Sequence, residues 1–169
     1  MMTEQEKYMK AALRLAQRSA AEGEVPVGCV VVCDGKIVGR GRNRRETKKT
    51  ALSHAEIEAI GKACKKLGGW RLHRCDLYVT LEPCPMCAGA IINARIKTVY
   101  YGADDPKAGS CGSLINLFDV AYNHKPEIVR GVLKEQCAAA LTDFFRALRE
   151  KRKREKQLAR EVMEARSDD

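Results

Sequence analysis

Residues of the kinds that bind zinc stand at two places in the sequence. His54 is followed two positions later by Glu56, and further along Cys84 and Cys87 form a Cys-x-x-Cys pair behind Pro83. Imidazole nitrogen and thiolate sulfur are ligands that zinc prefers, and three protein ligands leave a fourth tetrahedral position open for water. Because an open position is typical of catalytic rather than structural sites, we predict a catalytic zinc ion held by His54, Cys84 and Cys87.

The spacing of these residues predicts where the metal lies. Cys84 and Cys87 are three positions apart near a helix start, so both sulfurs point to one side and the positive helix end favours thiolate. His54 and Glu56 are two positions apart and cannot share a helix face, so the metal is expected off the end of their helix. Zinc lowers the pKa of bound water from about 16 to about 7. Glu56 competes poorly for zinc beside two thiolates, and we predict that it moves protons between that water and the substrate.

The hydrophobic pattern predicts the elements that position these residues. Strands alternate with helices, which indicates a layered α/β domain with a partly parallel sheet. A capping box at Thr3 begins the first helix, Gly23 ends it, and an Asp34-Gly35 turn joins the first two strands. The predicted strands are 27–32, 37–41, 76–81, 98–101 and 127–132. The later helices are 54–66, one from the cysteine pair to about 94, a short one at 114–118 and a long one from about 135, with loops at 43–53 and 102–112.

Composition narrows the class of protein. The chain of 169 residues suits one domain with a sizeable core, and 31 basic against 22 acidic residues give a formal net charge of +9. This excess indicates a phosphate-rich partner or a well-solvated surface. The longest uncharged stretch, 83–94, is shorter than the roughly 20 residues of a membrane span. No export signal is visible, so we expect a reducing, cytoplasmic compartment in which most of the eight cysteines are free and packed as small hydrophobes.

The motifs around these residues resemble those of the bacterial tRNA-specific adenosine deaminases, within the zinc-dependent cytidine deaminase superfamily. Besides the predicted ligands, the similar segments are 25–28, Asn43, 54–56, 77–84, 86–90, 102–107, 112–114 and 143–146. The resemblance covers about residues 5–152. It implies a three-layer α/β/α, cytidine-deaminase-like domain with a five-stranded mixed sheet at residues 1–152, followed by a charged helical tail at 153–169. The chain departs from the family in the loop before His54, where residues 50–53 read Thr-Ala-Leu-Ser rather than Asp-Pro-Thr-Ala.

The resemblance also implies an activity. In that family adenosine at the wobble position of a tRNA anticodon, classically that of tRNA-Arg, is hydrolysed to inosine. Water activated by zinc attacks C6 of adenine and ammonia leaves. The implied arrangement is one zinc ion per subunit on the three predicted ligands, with Glu56 moving protons to the ring and the leaving amine. Asn43 then contacts the base, and the backbone N–H of Ala55 contributes to the pocket. The family is homodimeric, with the anticodon loop bound across both subunits.

The positive charge concentrates in three stretches of the chain. Residues 36–50 include seven basic residues and one acidic residue. Residues 62–74 include five basic residues and no acidic residue, and residues 146–156 include seven basic and two acidic residues. A free nucleoside needs no such field, whereas an anticodon stem-loop carries one phosphate per nucleotide. For residues 40–49, beside the predicted pocket, we favour RNA contact. For 151–156 we favour a solvated helix face.

Two other functions fit parts of the sequence. A deaminase of the same fold that acts on a free base or nucleotide, such as guanine or cytosine, would carry the same metal ligands. The basic stretches and the Asp-Phe-Phe-Arg sequence at 143–146 argue against it. A noncatalytic RNA-binding module stabilised by zinc is the second alternative. Glu56 argues against that one, because a purely structural metal site has no use for a carboxylate beside an open position.

Overall fold

The sheet that supports the site has five strands of mixed direction. The computed structural model describes residues 1–167 of the chain. Its strand order is β2-β1-β3-β4-β5, with β1 antiparallel to both of its neighbours and β3, β4 and β5 mutually parallel. The elements in chain order are α1 (Glu4–Ala21), β1 (Gly28–Cys33), β2 (Lys36–Arg42), α2 (Arg45–Lys48), α3 (Ala55–Leu67), β3 (Cys75–Leu81), α4 (Pro85–Ala94), β4 (Thr98–Ala103), a 3-10 turn (Leu117–Asp119), β5 (Glu127–Arg130) and α5 (Lys134–Ser167).

Helices cover both faces of this sheet. One buried cluster joins α3 and α4 to the sheet, and includes Val31, Leu77 and Ile91. A second joins α1 and α5 to the opposite face, and includes Met9 and Val30. All six residues of β1 are buried, as expected for a strand between two helical layers. The three-layer α/β/α architecture and the five-stranded mixed sheet predicted from the sequence are therefore confirmed.

Local sequence signals explain where α1 begins. The Glu6 N–H donates to Thr3 Oγ1 at 3.2 Å, and the Thr3 N–H donates to Glu6 Oε2 at 2.9 Å, which is the predicted capping box. Each bond satisfies an N–H group that lacks a partner within the helix. The polar first turn therefore fixes the start of a helix whose apolar side packs on the sheet.

Close packing of α3 on β2 sets the position of the helix that follows His54, the first predicted metal ligand. A Cβ atom added at Gly39 would lie 2.1 Å from the carbonyl oxygen of Ala59, and one at Gly41 would lie 2.0 Å from that of Ala55. Only glycine allows this approach of backbone to backbone. The N-terminal turn of α3 is held over the sheet in this way.

The structure differs from the sequence prediction in three connections. The predicted loop at 43–53 contains the short helix α2, because buried Glu24, distant in sequence, accepts hydrogen bonds at its start. The predicted short helix at 114–118 is wrong in place and length, since only the three residues Leu117–Asp119 form a 3-10 turn. The predicted strand 127–132 ends at Arg130, because Gly131 and Leu133 adopt left-handed backbone conformations.

The last helix is longer than the core it covers. α5 begins at Lys134, close to the predicted residue 135, and continues without a break through the predicted boundary at residues 152 and 153. After Leu148 every side chain with a described burial is exposed. Residues 168 and 169 of the predicted tail lie outside the described residues. No helix within residues 1–167 is both long and apolar enough to cross a membrane.

Candidate metal centre and active site

Two helix starts bring the three predicted metal ligands together. His54 is the residue before α3 and Cys84 the residue before α4, each with extended backbone, and Cys87 lies in the first turn of α4. His54 Nδ1 lies 3.6 Å from Cys84 Sγ and 3.6 Å from Cys87 Sγ. Within residues 1–167 these three form the one group of His, Cys, Asp or Glu side chains whose ligand atoms lie within 4.8 Å of one another. The metal is therefore expected off the helix ends.

The spacing of these atoms fits a zinc ion. Zinc binds thiolate sulfur at about 2.3 Å and imidazole nitrogen at about 2.0–2.1 Å, with tetrahedral angles. Such a geometry places a sulfur and a nitrogen ligand about 3.6 Å apart, which is the separation found from His54 to both cysteines. One nitrogen and two sulfurs are also a donor set that zinc prefers. The residues present therefore fit zinc and leave one tetrahedral position free of protein.

Cys84 has the electrostatic surroundings of a thiolate. Hydrogen bonds from the Cys87 thiol and from His54 lower the pKa of Cys84 to about 4, against the opposing effect of burial. Its place at the start of α4 adds the favourable helix dipole. Pro85 occupies the first helical position, where its missing N–H costs nothing. The Pro-Cys-Pro sequence thus both begins a helix and places a predicted ligand sulfur at its start.

Glu56 lies within the same pocket and is almost fully buried. Only 4% of its surface is exposed. Burial raises the pKa of Glu56 to about 7, because the charged carboxylate loses its hydration. A carboxyl group with a pKa near neutral can both accept and release a proton under physiological conditions. The structure therefore places a candidate proton carrier beside the metal ligands.

The pocket in front of these groups has a volume of about 220 Å3. Asn43 lies in its wall with both ends of its amide fixed, since Nδ2 donates to the Val25 carbonyl at 3.1 Å and Oδ1 accepts from the Arg45 N–H at 3.2 Å. Of the six residues predicted for the site, Cys87 is fully buried and is not part of the pocket wall, and the other five line the pocket: Asn43, His54, Ala55, Glu56 and Cys84. The fold thus collects residues from 43 to 87 around one small cavity.

Comparison with known proteins identifies the family. The sequence model of the MafB19-like deaminases matches residues 3–149. The tRNA-specific adenosine deaminase of Bacillus subtilis (strain 168) is 50% identical over 153 residues, covering 90% of this chain and 95% of that protein. The chain belongs to the tRNA-specific adenosine deaminase family. The tRNA-specific adenosine deaminase of Haemophilus influenzae is 45% identical over 159 residues, covering 93% of this chain and 92% of that protein.

Solved structures show the same fold in this deaminase family and in a related one. A chain from a study of A-to-I editing by tRNA:A34 deaminases at the wobble position matches with a TM-score of 0.77 and 43% identity, covering 80% of this chain and 99% of that chain. The guanine deaminase of Bacillus subtilis matches with a TM-score of 0.58 and 36% identity, covering 86% of this chain and 93% of that chain. The structural similarity is greater to the tRNA deaminase.

The deaminase pocket also depends on Glu82, a residue to which the sequence pattern assigned no role. Glu82 is 2% exposed and directly follows the last residue of β3. It accepts hydrogen bonds from the backbone N–H groups of Asp105 at 2.9 Å, Cys111 at 3.1 Å and Ser113 at 3.0 Å, and from the Ser113 hydroxyl. Although burial opposes it, these bonds lower the pKa of Glu82. Glu82 therefore anchors the loop that supplies Asp105 and Ala108 to the pocket.

Glu24 performs a similar task on the other side of the deaminase pocket. Its buried carboxylate accepts hydrogen bonds from the Thr47 N–H at 2.6 Å, the Thr47 hydroxyl at 2.7 Å and the Glu46 N–H at 3.2 Å. These bonds hold α2 next to Asn43. In the sequence, Glu24 and Glu82 each appear as a charged residue close to a buried strand. Their hydrogen-bond partners lie more than twenty positions away, so a local pattern does not show their role.

The remaining cysteines and histidines do not join the metal centre. All eight cysteines are free in the described chain, and those outside the site are buried except Cys64, which is partly buried. This confirms their prediction as packing residues. His73 is exposed, and His124 Nε2 lies 2.6 Å from the carbonyl oxygen of Ile96. Neither histidine is a metal ligand candidate.

Proposed function

We propose that this deaminase converts adenosine to inosine, by hydrolysis, at the wobble position of a tRNA anticodon. The observation that carries the proposal is the separation of 3.6 Å from His54 Nδ1 to both cysteine sulfurs, beside buried Glu56. A metal-binding triad with an adjacent carboxyl group is an arrangement for hydrolysis. Homology to tRNA-specific adenosine deaminases supports adenosine in tRNA as the substrate.

The metal in this proposal is zinc, one ion per subunit, held by His54, Cys84 and Cys87. Zinc bound there would act as a Lewis acid that lowers the pKa of water and so supplies the nucleophile. As the water oxygen bonds to C6, Glu56 takes one proton from that water and delivers it to a nitrogen of the purine ring. Glu56 then takes the remaining proton from the new hydroxyl group at C6 and delivers it to the amino group. The carbon–nitrogen bond breaks, ammonia leaves, and a carbonyl remains at C6. The raised pKa of Glu56 suits it to both halves of this transfer.

Asn43 and Ala55 are proposed to hold the base in place. Each atom of the Asn43 amide already has one backbone partner, and the amide keeps a second N–H and a second lone pair for a ligand. Ala55 is the first residue of α3, so its N–H has no acceptor within the helix and can donate into the pocket. A pocket of about 220 Å3 suits a single base rather than a larger ligand.

The proposed partner is the anticodon stem-loop of a tRNA, with that of tRNA-Arg as the first candidate. Arg45 lines the pocket, and the residues around it carry most of the positive charge of the stretch 36–50. Positive charge at a pocket mouth attracts the phosphates on either side of a bound nucleotide. A cytoplasmic location follows from this substrate.

A homodimer is also part of the proposal. Exposed apolar side chains follow the anchored loop, with Leu114 61%, Ile115 47%, Val120 49% and Tyr122 53% exposed. A run of exposed apolar residues near a functional pocket is typical of an interaction surface. We propose that a second copy of the chain covers this surface, which would bring a second subunit close to the bound loop.

Inosine mapping tests the proposed reaction. The purified zinc-loaded protein is incubated with a tRNA-Arg anticodon stem-loop, and in parallel with free guanine, cytosine and cytidine. We expect inosine at the wobble position of the stem-loop and no deamination of free guanine, cytosine or cytidine. Deamination of guanine without deamination of the stem-loop would support the second candidate, which the similarity to a guanine deaminase favours, and would refute the first. RNA binding without deamination of any substrate would support a noncatalytic module.

A further inference from the structure

A second concave surface crosses the edge of the sheet outside the pocket. It has a volume of about 310 Å3 and runs over β2 between α1 and α3. Five of its lining residues are basic and one is acidic: Arg18, Arg40, Arg42, Arg44 and Lys62 with Glu58. We call this surface the β2-edge groove.

Three separate parts of the fold supply these basic residues. Arg18 comes from α1 and Lys62 from α3, and both lie outside the sequence stretch 36–50. Gly39 and Gly41 turn toward α3, so that Arg40 alternates with them and projects from the other face of the edge strand. The Lys62 ammonium donates to the Arg40 carbonyl oxygen at 2.9 Å and thereby lies across the strand edge.

The carboxylates near the groove neutralise only part of its charge. Arg42 donates to both oxygens of Glu22, at 2.6 and 2.9 Å, and Arg44 pairs with Glu58 at 3.0 Å. Within residues 1–167, no carboxylate lies within 4.0 Å of the guanidinium of Arg18 or Arg40, and both residues are exposed. The groove therefore carries an excess of positive charge, and two of its guanidinium groups are open to a ligand.

The groove begins where the pocket ends. Asn43 and Arg45 line the pocket, whereas Arg42 and Arg44 line the groove. Alternate residues from 42 to 45, between the end of β2 and the start of α2, therefore line two adjoining surfaces. A polynucleotide with one base in the pocket is therefore expected to reach the groove with its neighbouring phosphates.

We propose that the β2-edge groove binds the sugar-phosphate backbone of the RNA beyond the deaminated nucleotide. The identity of this RNA as an anticodon stem-loop rests on the proposed function. Guanidinium groups bind phosphate oxygens through paired hydrogen bonds, and four of the five cations of the groove are arginines. The groove adds affinity for a folded stem-loop and none for a single nucleoside.

Two double variants of equal charge test this proposal. Arg18→Gln with Arg40→Gln removes the two guanidinium groups of the groove that lack a carboxylate partner among residues 1–167, and Lys153→Gln with Arg154→Gln removes two exposed cations from the solvent-exposed part of α5. Binding of a fluorescently labelled stem-loop is measured by anisotropy at several salt concentrations. We expect the groove variant to bind several-fold more weakly, with the slope of log affinity against log salt reduced by about one to two. The α5 variant and a three-nucleotide fragment centred on the wobble adenosine serve as controls and show little change.

Other outcomes would overturn the groove proposal. Equal loss of affinity in both double variants would show an effect of net charge alone. Unchanged affinity with increased aggregation of the groove variant would show that these cations protect an exposed strand edge. The anisotropy readout does not depend on deamination, so wild-type protein that binds the stem-loop in the groove without forming inosine would refute only the proposed function. Inosine formation with identical binding of wild type and groove variant would refute only the groove.

Discussion

His54 Nδ1 lies 3.6 Å from Cys84 Sγ, although thirty positions separate the two residues. The starts of α3 and α4 meet at this point, and the residue before each helix is a predicted metal ligand. Because each of the two elements supplies ligands, the metal would tie them together. Metal binding is therefore expected to stabilise the fold as well as to supply the chemistry.

Loss of a ligand is expected to remove both zinc and activity. Cys87→Ala should lower the zinc content from about one ion per chain to near zero and abolish inosine formation, because two ligands hold zinc too weakly. Elemental analysis and thermal unfolding measure both effects. Cys64→Ala is the matched control, since Cys64 lies outside the centre and should keep zinc and activity. Full activity of Cys87→Ala without zinc would contradict the metal assignment.

Replacement of Glu56 is expected to separate metal binding from catalysis. Glu56→Gln keeps the shape of the side chain but cannot move a proton, so kcat should fall by about a hundredfold to ten-thousandfold. Zinc content and unfolding temperature should stay near those of the wild type, because Glu56 is not one of the three ligands. Retained activity in this variant would show that the proton is carried by another group.

Glu82 is expected to act on the pocket through the loop that it anchors. Glu82→Gln loses part of the set of hydrogen bonds to Asp105, Cys111 and Ser113. A hydrogen bond to a charged group contributes about 1.5–3 kcal/mol to stability. The free energy of unfolding should therefore fall by about 1–3 kcal/mol. The KM for the stem-loop should rise more than kcat falls. An unchanged KM would place the loop outside substrate binding.

The contribution of Glu82 to stability is expected to depend on pH. Its pKa is lowered in the folded protein from the ordinary value of 4.5, so the folded state favours the charged form. The stabilisation is therefore fully present above pH 4.5 and is lost as the pH falls through the lower folded-state pKa. Denaturant unfolding of the wild type and Glu82→Gln from about pH 7 to about pH 3 checks this. The difference between them should shrink below pH 4.5, and a constant difference would argue against a charged Glu82.

Close packing of β2 on α3 yields a paired prediction on two glycines. Gly41→Ala places a Cβ atom 2.0 Å from the Ala55 carbonyl oxygen and should destabilise the protein by about 1–3 kcal/mol or more, with loss of activity as α3 moves. Gly61 lies in α3 itself, and no atom lies within 4 Å of a Cβ added there. Gly61→Ala should therefore stabilise the protein by about 0.5–1 kcal/mol. Urea unfolding of both variants tests the contrast. Equal effects would contradict the packing argument.

The exposed end of α5 is expected to be dispensable for the fold. Deletion of residues 153–169 removes no buried side chain among the described residues. The unfolding midpoint should therefore shift by less than about 2 °C, equivalent to under 1 kcal/mol. Calorimetry of the truncated protein checks this prediction. A large fall in the midpoint would show that the tail packs on the domain or on a second subunit.

Most elements of the fold were predictable because their signals are local. The capping box at Thr3, the buried run that forms β1, and the turn at Asp34 each depend on neighbouring residues and appear as expected. One error falls where a distant group decides the backbone. Glu24 stabilises α2 from twenty-two positions away, and this is invisible in a local pattern.

The sequence by itself determined which chemistry is available: one imidazole, two thiols and a carboxyl group at spacings typical of a zinc-dependent deaminase. Residue types and short spacings depend only on the order of the chain. The tertiary structure decided that His54 meets the cysteines at 3.6 Å, that Glu82 anchors the pocket loop, and that Arg18 and Lys62 share one groove. These relationships depend on the order of strands in the sheet and on the packing of helices against it, because only the folded core brings distant segments into contact.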